Sequence, residues 1–296
     1  MNAKKGFYFS APCICVALIA LFSLTGCEDS LIRTGGASSS GPGTPALPGT
    51  ITITDGTNPV NSVKIGAPLT AVYSGSETVS YQWRKYGTAT TIGTNPTYTP
   101  SDTGRYFVTV RASGYSSKTG DLVTVAPQYV IGDTGPGGGK IFYYSKEGFT
   151  VGTVKDGVYK GGTYHYLEAA PADSGTTLKW TNYYSYNHGT TGHDIGTGYA
   201  NTAAILAVDN AAPAARACKN ANFGGKNDWY LPNEYEMRMM LVNKAAIGGF
   251  TDAWYWSSTQ ARASNFYSAY ATHLSGSGET TFDTNYTLCV RAIRAF

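Results

Sequence analysis

Between residues 50 and 126 the chain alternates apolar and polar residues in short runs, and this period of two most constrains the fold. Ile51 and Ile53 alternate with Thr; Leu69, Ala71 and Tyr73 with small residues; Val79, Tyr81 and Trp83 with Ser80, Gln82 and Arg84. Tyr106, Val108 and Val110 alternate with Phe107, Thr109 and Arg111, and Val123 and Val125 close the set. Successive side chains of a strand point to opposite faces, so each run makes a strand with one buried face. Turn residues separate the runs at the spacing of an antiparallel sandwich. The expectation is an all-β sandwich over residues 50–126.

Two residues sharpen that expectation. Trp83 falls on the third run, and Asp102-Thr103-Gly104-Arg105-Tyr106 carries the D-x-G-x-Y pattern whose tyrosine bonds back to the backbone at a sheet corner. The segment therefore resembles an immunoglobulin-like sandwich. It departs from antibody domains at Val108, where those domains carry a cysteine, and no cysteine lies on the second run.

The N-terminus specifies an address. Lys4 and Lys5 precede a mostly apolar run from Ala11 to Leu24, which ends in Leu24-Thr25-Gly26-Cys27. A basic front, an apolar middle and small residues before the cut are the parts of a secretory signal, and the following cysteine makes it resemble a bacterial lipobox. The run is shorter than the ~20 residues a membrane span needs. The expectation is a signal peptide over residues 1–26 and lipidation of Cys27. The acylated cysteine is expected to insert in the lipid bilayer, and the expected location is the cell envelope, at the outer membrane. Residues 27–49, rich in Gly, Ser, Pro and Thr, read as a flexible tether.

Removing the signal leaves 20 basic against 19 acidic residues, a net charge of about +1, with no run of Lys or Arg. Nucleic acid is not an expected partner. Charged residues make up 14% of the chain while Tyr numbers 23 and Gly 36. That balance suits a loop-rich extracellular binding surface. Of five cysteines, Cys13 and Cys15 leave with the signal and Cys27 is lipidated. Cys218 and Cys289 remain in an oxidising compartment, where the expectation is a disulfide between them.

Residues 127–296 hold both remaining cysteines, four of five Trp, all four His and the helical patterns. A helix is expected over Thr202–Val208 with Asn201 as N-cap, and another from Pro213 to Ala221. The clearest starts after Pro232: Asn233 and Glu236 form a capping-box pair, followed by Met237, Met240 and Leu241 at helical spacing. Strands are expected over 253–258, 266–271 and 289–296.

Five blocks in this half occur in order: Ile131 to Phe142, Tyr166 to Pro171, Asp228 to Asn233, Tyr255 to Thr259, and Val290 to Phe296. Together they resemble the domain family at the C-terminus of the collagen-like adhesin Lcl. The resemblance implies an α+β, C-type-lectin-like fold for residues 127–296, with a twisted mixed sheet, two helices and long loops. It also implies glycan binding, since its best-known member binds glycosaminoglycans. Within the blocks, Trp229, Leu231 and Trp256 are expected in the core and Trp254 on the same strand face as Trp256. Val290, Ala292 and Phe296 should face inward and Arg291 outward.

Candidate sites follow from residue type. Gly135 to Lys140 superficially suggests a phosphate loop, but Thr134 and Ile141 stand where that motif needs Gly and Ser or Thr. His165, His188, His193 and His273 match no metal-ligand spacing, and the Glu-Pro-Asn and Trp-Asn-Asp motifs of sugar-binding C-type lectins do not occur. No metal or cofactor is expected. The favoured binding loop runs from Trp180 to Gly189. In it Trp180, Tyr183, Tyr184 and Tyr186 offer faces for sugar rings, and Asn187 and His188 offer hydrogen bonds to hydroxyls. Residues 265–286 form a second, weaker candidate. There is no Gly-x-Ser-x-Gly elbow, and the cysteines do not reproduce the paired site of formylglycine-generating enzymes, which share a related fold. The chain reads as a non-catalytic envelope lipoprotein acting as an adhesin or glycan-binding module. The second reading is a structural envelope protein contacting a host or envelope protein, and the third an enzyme of the formylglycine-generating type.

Overall fold

The computed structural model describes residues 43–153, 158–184, 186–190, 192–261, 268–276 and 278–296. The signal sequence and Cys27 lie outside these residues. The described residues form mostly β-sheet, with four short helices among them. Among the described residues no helix is long and apolar enough to cross a membrane.

The first unit contains β1 (Ile51–Thr54), β2 (Ser62–Lys64), β3 (Leu69–Tyr73), β4 (Ser80–Lys85), β5 (Thr91–Gly93), β6 (Thr97–Tyr98), β7 (Gly104–Arg111), β8 (Lys118–Thr119) and β9 (Val123–Ala126). They form two sheets, one ordered β1-β3-β6 and the other β2-β9-β7-β4-β5 with β8 on β7. Eight of the alternating residues meet in one core: Ile53, Leu69 and Ala71 from the first sheet, Trp83, Tyr106, Val108, Val123 and Val125 from the second; Ile51 and Tyr81 are partly buried against it, and Tyr73 and Val79 lie outside it. Trp83 is fully buried, and its indole N–H donates to the Asn95 carbonyl at 2.9 Å. The Tyr106 hydroxyl donates to the Asp102 carbonyl at 2.8 Å, the corner bond that the D-x-G-x-Y spacing predicts. Burial pushes this phenol up to about 12, so it stays a donor.

The second unit contains β10 (Lys140–Phe149), β11 (Gly152–Thr153), β12 (Val158–Tyr159), β13 (Tyr164–Ala169), β14 (Gly175–Lys179), α1 (Gly198–Val208), α2 (Pro213–Lys219), α3 (Glu234–Val242), α4 (Lys244–Ile247), β15 (Trp254–Gln260), β16 (Ser268–His273), β17 (Glu279–Asp283), β18 (Thr287–Val290) and β19 (Ile293–Ala295). One sheet is ordered β10-β13-β19, another β14-β18-β15-β16-β17, and β11 and β12 pair as a hairpin. The five-stranded sheet is mixed: β15 and β18 run parallel, and its other pairs antiparallel.

Cores lie on both faces of that sheet. Trp256, Leu288 and Val290 pack with Trp180, with Ile205 of α1 and with Ala214, Ala215 and Cys218 of α2; Trp254 joins them from the same face. Tyr255 and Cys289 point the other way, against Met237 and Met240 of α3 and Ile247 of α4. Successive residues of β15 and β18 are therefore buried on opposite faces of the sheet.

This sidedness overturns the expected disulfide. Cys218 and Cys289 are both free and buried, one in each core, because Cys289 lies between Leu288 and Val290 on the strand and faces away from them. Burial pushes both thiols up, so neither is an activated nucleophile.

The capping box before α3 forms as read: the Asn233 side chain accepts from the Glu236 amide, and the Glu236 carboxylate accepts from the Asn233 amide, both at 2.8 Å. Such a cap contributes roughly 1 kcal/mol. Other local expectations move. α1 begins at Gly198, not Thr202; Asn201 lies inside it, buried, with its side chain bonded to the amide and carbonyl of Gly192. The expected last strand breaks into β18 and β19, which belong to different sheets. That break ends the period of two at Arg291, which turns inward. Only 1% exposed, it donates to Asp173 (2.6 Å) and to the carbonyls of Ala170 (3.0 Å) and Gly249 (2.6 Å).

Candidate functional site

The loop after β14 departs from the sheet at Trp180. This side chain is a core residue: it is 0% exposed, and its indole N–H donates to the Ser257 carbonyl at 2.8 Å. It is therefore removed from the set of ligand-contacting candidates. His188, 3% exposed, is removed for the same reason; its ring stands edge-on to Trp180 with centroids 5.0 Å apart. Large flat groups in this loop are divided by its ends: the aromatic at the start and the imidazole near the finish fold inward and anchor it.

Between these anchors three tyrosines turn outward. Tyr183, Tyr184 and Tyr186 are 52%, 49% and 57% exposed, and Asn187 is exposed beside them. The rings of Tyr183 and Tyr186 lie 6.4 Å apart, tilted by 55°. The Asn187 side-chain oxygen Oδ1 accepts from the Gly189 amide at 2.9 Å, an Asx turn that leaves the side-chain NH2 outside that bond. Gly189 has φ +69°, a conformation that favours glycine and closes the turn. The result is a cluster of phenol faces with an amide at its edge.

A buried polar network fixes the loop from below. The Asp209 carboxylate, at the end of α1, accepts from the Asn182 amide (2.7 Å) and the Thr181 hydroxyl (3.0 Å). Thr181 Oγ1 also accepts from the Tyr183 amide (3.1 Å) and lies 3.1 Å from His188 Nε2. From β15, the Gln260 side chain accepts from the His188 amide (2.9 Å) and donates to the Tyr186 carbonyl (2.7 Å). Burial disfavours the Asp209 carboxylate, but these hydrogen bonds outweigh it and hold the carboxyl below its ordinary range. Burial likewise disfavours charge on His188 and lowers it, against smaller opposing effects from the Tyr186 carbonyl and Asp209.

A hydroxyl, an imidazole and a carboxylate in contact invite comparison with a hydrolytic triad. The order is wrong: in a triad the imidazole sits between the other two, whereas here Thr181 does. Thr181 is also 2% exposed, so no substrate reaches its hydroxyl. The trio positions backbone.

The glycine-rich turn resolves as structure. The N–H groups of the glycine-rich turn are occupied by the chain's own carboxylate: Glu168, fully buried, accepts from Gly137 (3.0 Å) and Gly139 (2.7 Å) and from Arg294 (3.2 Å). A carboxylate fills the place a phosphate would take. Among the described residues no group of three or more His, Cys, Asp or Glu is arranged to hold a metal ion. Within 265–286, residues 265–267 and 277 lie outside the described residues; Phe282 packs on Trp254 and Trp256, and Tyr286 stays exposed against it.

Sequence reasoning found the outward tyrosines and Asn187 but not the residues that hold them. Gln260 lies 72 residues from His188 and carries no local signal. Asp209 had one: in Asp-Asn-Ala-Ala-Pro its side chain accepts from the Ala211 amide at 3.1 Å, an Asx turn legible from the residue types.

Residues 170–294 match the family model of the Lcl C-terminal domain. The match contains the loop, its network and both cysteines. The folded unit extends further toward the N-terminus, because β13 (Tyr164–Ala169) pairs with β19 and β10 pairs with β13. No curated protein matches the chain.

Proposed function

We propose that this chain, with an Lcl C-terminal domain at residues 170–294, is a lipid-anchored cell-envelope protein that binds glycans without transforming them. In this reading Cys27 is the acylated residue, the first unit is an immunoglobulin-like spacer and the second a C-type-lectin-like tip. The two packed sheets and the Tyr106–Asp102 corner bond support the first assignment. The mixed five-stranded sheet flanked by helices supports the second.

The observation that carries the proposal is the exposure of Tyr183, Tyr184 and Tyr186 on a loop whose backbone is held by buried hydrogen bonds. Leaving three aromatic rings half in water costs burial that the fold gains elsewhere, and exposed aromatic clusters mark interaction sites. Rigid rings bind with little loss of rotamer entropy. Phenol faces stack on the apolar faces of sugar rings, and Asn187 supplies an amide for hydroxyls.

A glycan array probed with soluble residues 28–296 tests this. The expected result is selective binding that Tyr183→Ala and Tyr186→Ala each weaken about tenfold, roughly 1.4 kcal/mol, without lowering the melting temperature. Absence of glycan binding together with capture of a specific envelope or host protein by the same tyrosines would replace this reading with the structural one.

A further inference from the structure

α1 has no charged residue among its eleven, Gly-Tyr-Ala-Asn-Thr-Ala-Ala-Ile-Leu-Ala-Val. A helix apolar on every side is normally covered on every side. One side of α1 is: Ala200, Thr202 and Ile205 are buried, and Ile205 packs in the core with Trp256. Tyr199, Ala203, Leu206 and Ala207, with Leu206 partly buried against that core, line an open cleft of about 350 Å³ that the buried Thr202 also borders. The buried Trp229 and Tyr230 form its floor, Lys219 from the end of α2 completes the lining, and Tyr199 stands edge-on to Tyr230 at 5.8 Å.

Charge selects the occupant. No Asp or Glu lines the cleft. The Lys219 ammonium forms no ion pair or hydrogen bond among the described residues; its contact is with the Tyr199 ring, 5.9 Å from the centroid. A lone cation at the mouth of an apolar, aromatic-walled space is complementary to an anion carrying an apolar body. The volume lies at the lower end of the small-molecule range, which suits one or two fused rings. We infer that the α1–α2 cleft is a second binding site, separate from the tyrosine loop, that takes a small aromatic carboxylate with its carboxylate on Lys219 and its rings along Tyr199, Ala203 and Leu206.

The test uses the full chain with labelled alanine and leucine methyl groups, titrated with 2-naphthoate and with uncharged 2-naphthamide. Naphthoate should shift the Ala203 and Leu206 methyl signals saturably, and naphthamide should bind about tenfold more weakly, since a charge-assisted contact is lost. Lys219→Met, at an exposed position, should bring naphthoate down to the naphthamide level. Ala203→Phe should fill the cleft and abolish both. The inference is overturned if neither probe shifts these methyl groups saturably, if both bind equally to the unaltered chain, or if Lys219→Met leaves naphthoate affinity unchanged. Should Ala203→Phe lower the melting temperature, the Lys219→Met comparison decides. None of these residues belongs to the tyrosine loop, so failure of glycan binding leaves this result standing, and the reverse.

Discussion

The backbone amide of His188 donates to Gln260 Oε1 at 2.9 Å, joining the candidate loop to β15 across 72 residues of sequence. The same side chain donates to the Tyr186 carbonyl at 2.7 Å. One amide therefore sets the backbone on both sides of Asn187. Gln260→Ala is expected to lower stability by about 1–3 kcal/mol, because the buried His188 amide and the part-buried Tyr186 carbonyl lose their partner. Hydrogen exchange should rise at His188 while the core of the first unit keeps its protection. Glycan affinity should fall although every exposed tyrosine remains.

His188 gives the loop a pH dependence. Its folded-state value lies below the ordinary imidazole value because burial disfavours the cation. In the unfolded chain it titrates near 6.5. As pH falls below 6.5 the unfolded state binds the proton first, so stability present above 6.5 is lost as pH falls through the folded value. Glu236 acts in the opposite sense: burial raises it to about 7, so its contribution is lost as pH rises from its unfolded value through 7. The His188 effect is thus read by difference. Urea denaturation at pH 7.5 and 5.5 should show a smaller acid loss for His188→Gln than for the unaltered chain. An equal loss would mean that His188 does not titrate in this window.

Arg291 tests the inward turn of the C-terminal segment. Its guanidinium is bonded to Asp173 and to two carbonyls, and it lies over the Phe250 ring at 4.8 Å. Arg291→Met should cost about 3–5 kcal/mol, the range for leaving a buried charge without its partner. An outward Arg would cost within about 0.5 kcal/mol. Chemical denaturation separates the two.

Cys218 and Cys289 face different cores. Non-reducing mass spectrometry of the mature chain is expected to show both as free thiols. A thiol reagent should label them slowly in the native state and rapidly in denaturant, and reductant should leave the melting temperature unchanged. A Cys218–Cys289 peptide would contradict the opposite facing of the two side chains.

Features decided within a few residues were legible in the sequence. Tyr106 reaches Asp102 because the corner needs only four residues of chain. Asn233 and Glu236 cap α3 because the exchange spans a single turn. The alternation of β1, β3, β4, β7 and β9 named the eight residues of the first core, since a strand with one buried face must repeat every two, but it also named Tyr73, Val79 and Tyr81, which are only partly buried. The tyrosines of the loop were legible as candidates by type alone.

Tertiary structure decided what depends on strand order and on where a strand stops. Two cysteines in an oxidising compartment suggest a bridge, but β18 puts Cys289 on the face opposite Cys218, and only the placement of the helices around the sheet reveals it. Arg291 reads as outward under a period of two that ends one residue earlier, where the chain crosses from one sheet to the other. Within the loop, composition cannot separate Trp180 and His188, which anchor, from Tyr183 and Tyr186, which present. That division is made by Ser257, Asp209 and Gln260, residues from distant segments whose hydrogen bonds exist only once the sheet has assembled. Local stereochemistry repeats along the chain and can be read there. Sidedness and anchoring are properties of the closed topology, and the sequence carries them only through the fold it makes.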